Sequence, residues 1–402
     1  MNTEALSYSS LATWCAALFL AASLFSHTVA LRLTLLVAGA LFCIIALLRE
    51  RNGWSMLPPI WLPFLLWAAW SAASLGWSVE PERSGKELRN EVIYTGIALW
   101  TCYVAAQARN AARILLPVLA GATTLLCALA FYHFRQGFES YATGLHGGPG
   151  NLSSALITLI PCIVAAAAYG WRAGFRGTAV TAAAMAGLAL VAAYSTLNRT
   201  IWIALAVELL VFSALVVWRL GIHHHRRARM TVVAFAIGAV AACAFATVSI
   251  QMGRKDEMSR DLRLALWPEV IHYIKERPLT GYGFGRGLLR KPLDEEFKNQ
   301  LLWHAHNLFL DTTLQLGVPG LVLLVFLLAA TFGAGWRLAR QPNELAAACG
   351  MTLLAVLAGM VIRNSTDTLL VRQNALFFWG VVGVLLAWGR QACEGPDRGT
   401  GA

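Results

Sequence analysis

The feature that most constrains this chain is a succession of apolar runs, about twelve in number, each of the roughly 17 to 25 residues needed to cross about 30 Å of hydrocarbon. They lie near residues 9–25, 29–48, 58–75, 91–108, 112–133, 151–170, 177–196, 199–219, 230–251, 318–336, 344–363 and 373–390. Composition agrees: 58% of the 402 residues are apolar and 13% charged, where soluble domains run near one half and one quarter. The first run lacks a basic leading segment and a small-residue cleavage site, so it is expected to be a retained span. The expected fold is therefore all-α, a polytopic membrane protein with about 12 transmembrane helices and one long outer loop between helices 9 and 10.

Lys plus Arg outnumber Asp plus Glu by 32 to 21, a net charge of +11. Such an excess fits nucleic acid, acidic lipid or an anionic substrate, and the positions of the charges decide. With a cytoplasmic N-terminus, the inner loops collect Arg49, Arg51, Arg109, Arg113, Arg172, Arg176, Arg219, Arg226, Arg227, Arg229, Arg337, Arg340, Arg390 and Arg398. That is the positive-inside pattern, so the excess is assigned to topology and membrane lipid and no nucleic-acid partner is expected. The same holds for His223, His224 and His225, which adjoin Arg226 and Arg227. Residues 1–251 then hold helices 1–9, residues 252–317 an outer loop with amphipathic helices, and residues 318–402 helices 10–12 and a cytoplasmic tail. The shorter outer loops are 76–90, 134–150, 197–199 and 364–372. Of eight cysteines, seven lie inside apolar runs and Cys393 in the tail, with neither a disulfide framework nor zinc-type spacing.

Polar chemistry is thus expected on the outer face. In the long loop Ser259 is a candidate N-cap, Arg260 and Arg263 share a helix face, and Pro268 after Trp267 either kinks that helix or starts another, which runs through Val270, Ile271 and Ile274 to about Arg277. Pro278 and Gly281, Gly283, Gly285 and Gly287 follow as a turn-rich, flexible loop in which Tyr282 and Phe284 are positioned to touch sugar or lipid. No strand precedes these glycines and no Lys-Ser/Thr follows, so they are not a nucleotide loop. His306 and Asn307 begin a short helix that ends at Gly317, with Pro319 restarting the next span. An imidazole there serves either as a general base or as a cap. Arg199, at the outer start of the eighth run, serves either as a snorkelling anchor or as a two-point phosphate ligand. For Arg260 and Arg263 the alternatives are an anion site or ordinary surface pairing with Asp256 and Asp261. Glu208, within the eighth run, is an intramembrane acid and so a functional suspect. Asp367, in the last outer loop, orients His306 or holds an acceptor sugar.

The order of these pieces resembles the O-antigen ligase and polymerase superfamily, multispanning glycosyltransferases of the bacterial envelope. The most specific part is His306-Asn307, nine residues, then Gly317-x-x-Gly320. Trp77-Ser78 with Pro81 and Ser84, Pro149-Gly150-Asn151 with Pro161, Asn198-Arg199 with Trp202, Arg263 four before Trp267, and Pro278-Leu279-Thr280-Gly281-Tyr282-Gly283 agree in sequence order. Pro268 departs from the pattern. The resemblance implies His306, Arg199 and Arg263 as the catalytic set, with Arg260 as understudy to Arg263, and Asn307, Asn151, Tyr282 and Asp367 among substrate contacts. It implies a glycan donor carried on undecaprenyl diphosphate, a lipid A-core acceptor, and a site on the periplasmic side of the inner membrane. No cofactor is expected. No metal is expected either, because the chain has no DxD motif; Asp294, Glu295 and Glu296 are the first residues to examine if one acts. A polymerase or a protein-directed ligase of the same superfamily shares these motifs. A lipid-linked-sugar transporter is the rival of a different class, but it should carry polar residues through both halves of the bilayer.

Overall fold

The computed structural model describes residues 7–50, 55–137, 143–219, 226–252, 263–288 and 304–394. Arg260, His223, His224, His225, Asp294, Glu295 and Glu296 lie outside the described residues. The described residues form helices and connecting turns with no strand, as an apolar solvent demands of a chain that must satisfy its own backbone. In order they are α1 (Tyr8–Ser23), α2 (Val29–Arg49), α3 (Trp61–Ala73), α4 (Pro81–Leu88), α5 (Tyr94–Ala105), α6 (Ala111–Gln136) and α7 (Gly148–Arg172). Then come α8 (Arg176–Ser195), α9 (Arg199–Arg219), α10 (Arg226–Met252), α11 (Arg263–Glu276), α12 (Leu308–Ala339), α13 (Glu344–Asn364) and α14 (Arg372–Glu394).

Nine helices among the described residues are long and apolar enough to cross a membrane. Each of the other three apolar runs also contains a helix, but α1 has 16 residues, α3 has 13 and α5 has 12. The shortfall has a local cause. A 3₁₀ turn at Ser74–Trp77 takes over from α3, and a π turn at Arg89–Ile93 precedes α5, where the sequence suggested continuous spans.

Helices α13 and α14 form the centre. Phe377, Phe378, Val382, Leu353 and Val356 are sequestered from solvent, and α14 packs on α5 while α13 contacts α7, α9 and α12. Small residues permit this approach. A Cβ on Gly383 would sit 2.6 Å from the Leu99 carbonyl oxygen of α5. Likewise Gly359 of α13 makes room for the buried carboxyl of Glu208 in α9.

Polar ties at the helix ends sort the bundle into two faces. On one, Arg219 donates to the Gln341 carbonyl at 2.7 Å, Arg172 pairs with Glu344 at 2.8 Å, and Ser55 accepts from Arg390. On the other, Ser26 N–H donates to the Leu145 carbonyl and Arg32 donates to Gln373. Arg172, Arg219 and Arg390 thus lie toward the first face and the residues from Ser365 to Arg372 toward the second.

Two sequence expectations are refined in detail. Of the two alternatives for Pro268, the start of a second helix is excluded: α11 runs through it, because a proline there deletes one N–H···O=C bond while the rest of the ladder continues. The glycine-rich loop is also tied down. Tyr282 N–H donates to the Leu314 carbonyl at 3.1 Å, Gly283 N–H to that of Gln315 at 2.9 Å, and Val79 N–H to that of Tyr282 at 3.0 Å. Gly283 has φ +107, and a Cβ there would strike the Ser78 side chain at 2.4 Å.

Candidate active site

The site is built where the 304–307 segment meets the turn between α13 and α14. Asn307 caps α12 as the sequence leads one to expect of an Asn before an apolar run: its Oδ1 accepts from Phe309 N–H at 2.9 Å and from Leu310 N–H at 3.1 Å. Its Nδ2 donates to the Ser365 carbonyl at 2.9 Å and so locks the two segments together. Helix α12 then breaks at Gly317, whose φ of +68 and ψ of −176 are non-helical, and resumes through Pro319. The short leading helix expected from sequence is therefore present, and its cap is Asn307, not His306.

His306 has φ +48, a left-handed backbone unusual for a residue with a Cβ. That turn carries its Nδ1 to 3.1 Å from Asp367 Oδ1. The Asp367 carboxylate also accepts from Thr368 N–H at 2.9 Å, and Arg363 Nη2 stands 3.9 Å from its second oxygen. Arg363 is in turn held by Ser153 Oγ of α7, 3.3 Å from both Nε and Nη2. His304 completes the cluster, with Nε2 3.7 Å from Asp367 Oδ1 and its ring centroid 3.8 Å from that of His306.

Burial pushes the Asp367 carboxyl up, but hydrogen bonds from His304 and His306 and the Arg363 charge outweigh it and hold the group well below the usual carboxylate range. Burial lowers His304, and the Asp367 contact opposes that only in part. An ionised Asp367 has no proton to give. The 3.1 Å contact therefore requires the proton on His306 Nδ1, so that in the neutral ring the lone pair lies on Nε2, the tautomer a general base needs.

The remaining sequence candidates fall as follows. Arg199 opens α9 and is half-buried. Because α9 and α13 run antiparallel, with Arg219 at the start of α13 and Glu208 beside Gly359, Arg199 sits at the same end of the bundle as Asp367. Glu208 lies about 13 Å deeper at 1.5 Å per residue. Arg263 opens α11; its side chain lies outside the described residues. One turn on, Trp267 Nε1 donates to the Ala305 carbonyl at 3.0 Å, and Leu266, Val270, Tyr282 and Leu314 pack around Ala305. The Arg263 backbone is thus anchored beside the histidine segment. Tyr282 is buried, its hydroxyl donating to Glu276 at 2.7 Å; burial and that carboxylate both push its phenol up. Asn151 bridges Gly147, at 2.8 Å, and Asn374, at 3.0 Å, tying α7 to α14.

Sequence reasoning passed over Arg363, Ser153 and His304. An arginine near the end of an apolar run is the one signal that would have flagged Arg363. The motif residues of the outer loops also converge on the scaffold: Trp77 Nε1 donates to the Thr280 carbonyl at 2.7 Å, and the Ser78 and Ser84 hydroxyls are 2.6 Å apart.

His304 Nε2, His306 Nδ1 and Asp367 Oδ1 lie within 4.8 Å of one another, a spacing that can hold a metal ion. Arg363 already supplies a fixed positive charge to the same carboxylate. A glycosyl transfer run by this cluster should persist in excess chelator. Loss of activity that returns only with added divalent cation would assign the trio to a metal.

The fold and site together define a polytopic helical membrane protein with a His–Asp pair at one end of its bundle. Residues 184–325 match the family model described as O-antigen ligase, which bears out the resemblance read from the motifs. The matched stretch contains Arg199, Arg263 and His306. The match supports a membrane-glycosyltransferase function of the O-antigen ligase and polymerase kind. No curated protein matches the chain.

Proposed function

We propose that the protein is an O-antigen ligase of the bacterial inner membrane, transferring glycan from undecaprenyl diphosphate to a sugar hydroxyl of the lipid A core on the periplasmic side. The observation that carries this reading is the oriented His306–Asp367 pair, set at the face opposite Arg172, Arg219 and Arg390. Nε2 of His306 takes the proton of the acceptor hydroxyl as its oxygen bonds to the anomeric carbon. The bond from that carbon to the diphosphate oxygen breaks, and its electron pair leaves with the diphosphate. Attack opposite the leaving group inverts the anomeric centre. Arg199 and Arg263 meet the developing charge, since a guanidinium offers a phosphate two parallel donors. Arg260 is held in reserve for the same anion, and Asn307, Asn151 and Tyr282 support the site.

Deleting the gene and examining lipopolysaccharide tests the reading. Ligase loss leaves bare core while lipid-linked polymer accumulates. Core bearing a single repeat unit would instead make the protein a polymerase, and unglycosylated protein with normal lipopolysaccharide would make it a protein-directed ligase. Arg199→Lys separates the phosphate role from membrane anchoring. Lysine keeps the charge and loses the fork, so transfer should fall by at least about tenfold while membrane accumulation is unchanged. Full activity would make Arg199 an anchor.

A further inference from the structure

A cleft opens beside the His–Asp pair, between α3, α4, the glycine-rich loop and the starts of α12 and α14. Its space comes to about 640 Å³ with the open solvent at its mouth included. Thr368 follows Asp367 directly and Leu308 follows Asn307, so the cleft adjoins the site by two covalent steps.

Three polar groups lining it have no hydrogen-bond partner among the described residues: Trp67 Nε1, Asp311 Oδ2 and Thr368 Oγ1. Asp311 is 2% exposed and Thr368 is 1% exposed. A buried polar atom left unpaired is costly, and three on residues around one cleft make a set of one donor, one acceptor and one hydroxyl that does both. The other oxygen of Asp311 is engaged, 3.4 Å from Ala305 N–H, which aligns the carboxylate without satisfying it.

Charge narrows the ligand. Glu87, Glu91 and Asp311 face one guanidinium, Arg286, which already donates to the Thr368 carbonyl at 2.8 Å. Among the described residues, Glu87 and Asp311, with the Glu91 carboxyl pushed up to about 7 by burial, stand beside one arginine, a set of acceptors that suits hydroxyl donors. The aromatic walls are Trp67 and Phe284, edge to face at 6.1 Å, and a π-face carries the negative potential that the C–H face of a sugar ring seeks.

We propose that this cleft is the acceptor subsite, holding an uncharged, hydroxyl-rich pyranose whose ring lies against the aromatic wall and whose hydroxyls pair with Asp311, Thr368 and Trp67. The assignment rests on the glycosyl-transfer reading and adds to it a division of labour. The arginines take the diphosphate of the donor, and the acidic cleft takes the acceptor.

The test uses the full-length protein in detergent and, as probe, a delipidated and dephosphorylated core oligosaccharide, with inorganic diphosphate as the anionic control. Thr368→Val and Asp311→Asn should each weaken oligosaccharide binding by about tenfold or more and raise the acceptor KM to match, because each removes one buried partner. The donor KM should stay within about twofold. Thr368→Ser should restore binding. Ligand-free Thr368→Val should melt no lower than wild type, since it loses a hydroxyl that had no partner, and this separates a lost contact from a lost fold. Unchanged oligosaccharide binding in both variants overturns the proposal, as does a rise in donor KM or a loss of diphosphate binding in place of the acceptor effect. Repeating the binding measurement in His306→Ala keeps the two readings apart. Transfer by that variant would fault the base assignment while the cleft variants still report on the sugar.

Discussion

Alanine at His306 should abolish glycosyl transfer while the protein still inserts, folds and binds its lipid-linked donor. A positioned base contributes about 10² to 10⁴ in rate, so turnover should fall by that factor with the donor KM nearly unchanged. The alternative role for a polar residue at this position was that of a helix cap, whose loss costs roughly 1 kcal/mol and leaves chemistry intact in the molecules that fold. The structure gives that role to Asn307, which makes both capping hydrogen bonds itself. His306→Ala therefore removes no cap, and a loss of rate cannot be charged to the helix. His304→Ala is the informative neighbour. Its ring lies against that of His306 and its Nε2 stands 3.7 Å from the shared carboxylate. A moderate loss in His304→Ala beside a near-complete loss in His306→Ala would place one residue at the reacting atoms and the other in support. Near-normal turnover by purified His306→Ala, or equal loss of donor binding, would remove the base assignment.

What the sequence made legible was whatever depends on local pattern. Each expected apolar run contains a helix, because length and hydrophobicity alone dictate that outcome in lipid. The break at Gly317 was legible for the same local reason, a glycine two residues before a proline. The bounds of α3 and α5 were not, since a 3₁₀ turn and a π turn adjoin them and apolar composition does not distinguish these from α-helix. Pro268 left two readings open, a kink within one helix or the start of another, and Trp267, Leu266 and Val270 decide for one helix through tertiary contacts on both sides of it. The glycine run suggested flexibility, yet its glycines supply left-handed turns and close approaches that let the loop hydrogen-bond to α12. Arg363 and Ser153 were illegible in a stronger sense. They meet across 210 residues, and nothing in the neighbourhood of either one announces the other. The His306–Asp367 pair was half legible: the sequence offered Asp367 either to orient His306 or to hold a sugar, and only the fold shows the 3.1 Å contact.

Asp367→Asn should cost nearly as much as losing the histidine, and by a route that distinguishes orientation from substrate binding. In the native site the ionised carboxylate accepts from His306 Nδ1, so Nε2 keeps its lone pair. Asparagine keeps the shape but brings an amide NH₂. Arg363 stands 3.9 Å from the outer oxygen of Asp367, and a guanidinium repels an NH₂ and attracts a carbonyl oxygen. Thr368 N–H, which donates at 2.9 Å to the oxygen facing His306, opposes that turn; in the molecules where the amide does give its oxygen to Arg363, its nitrogen faces His306. Against a nitrogen donor, His306 Nδ1 must become the acceptor and Nε2 must carry the proton. A base so protonated takes nothing from the acceptor hydroxyl, and kcat should fall by about 10³ to 10⁴, the scale set by the same change in serine-protease triads. Because Asp367 is held well below the usual carboxylate range, it is ionised throughout the assay range above about pH 5, and the loss should be uniform across that range. The acceptor KM should move by less than about twofold. Had Asp367 instead held the acceptor sugar, Asn would raise that KM and spare kcat at saturating acceptor, and that outcome would return the tautomer of His306 to an open question.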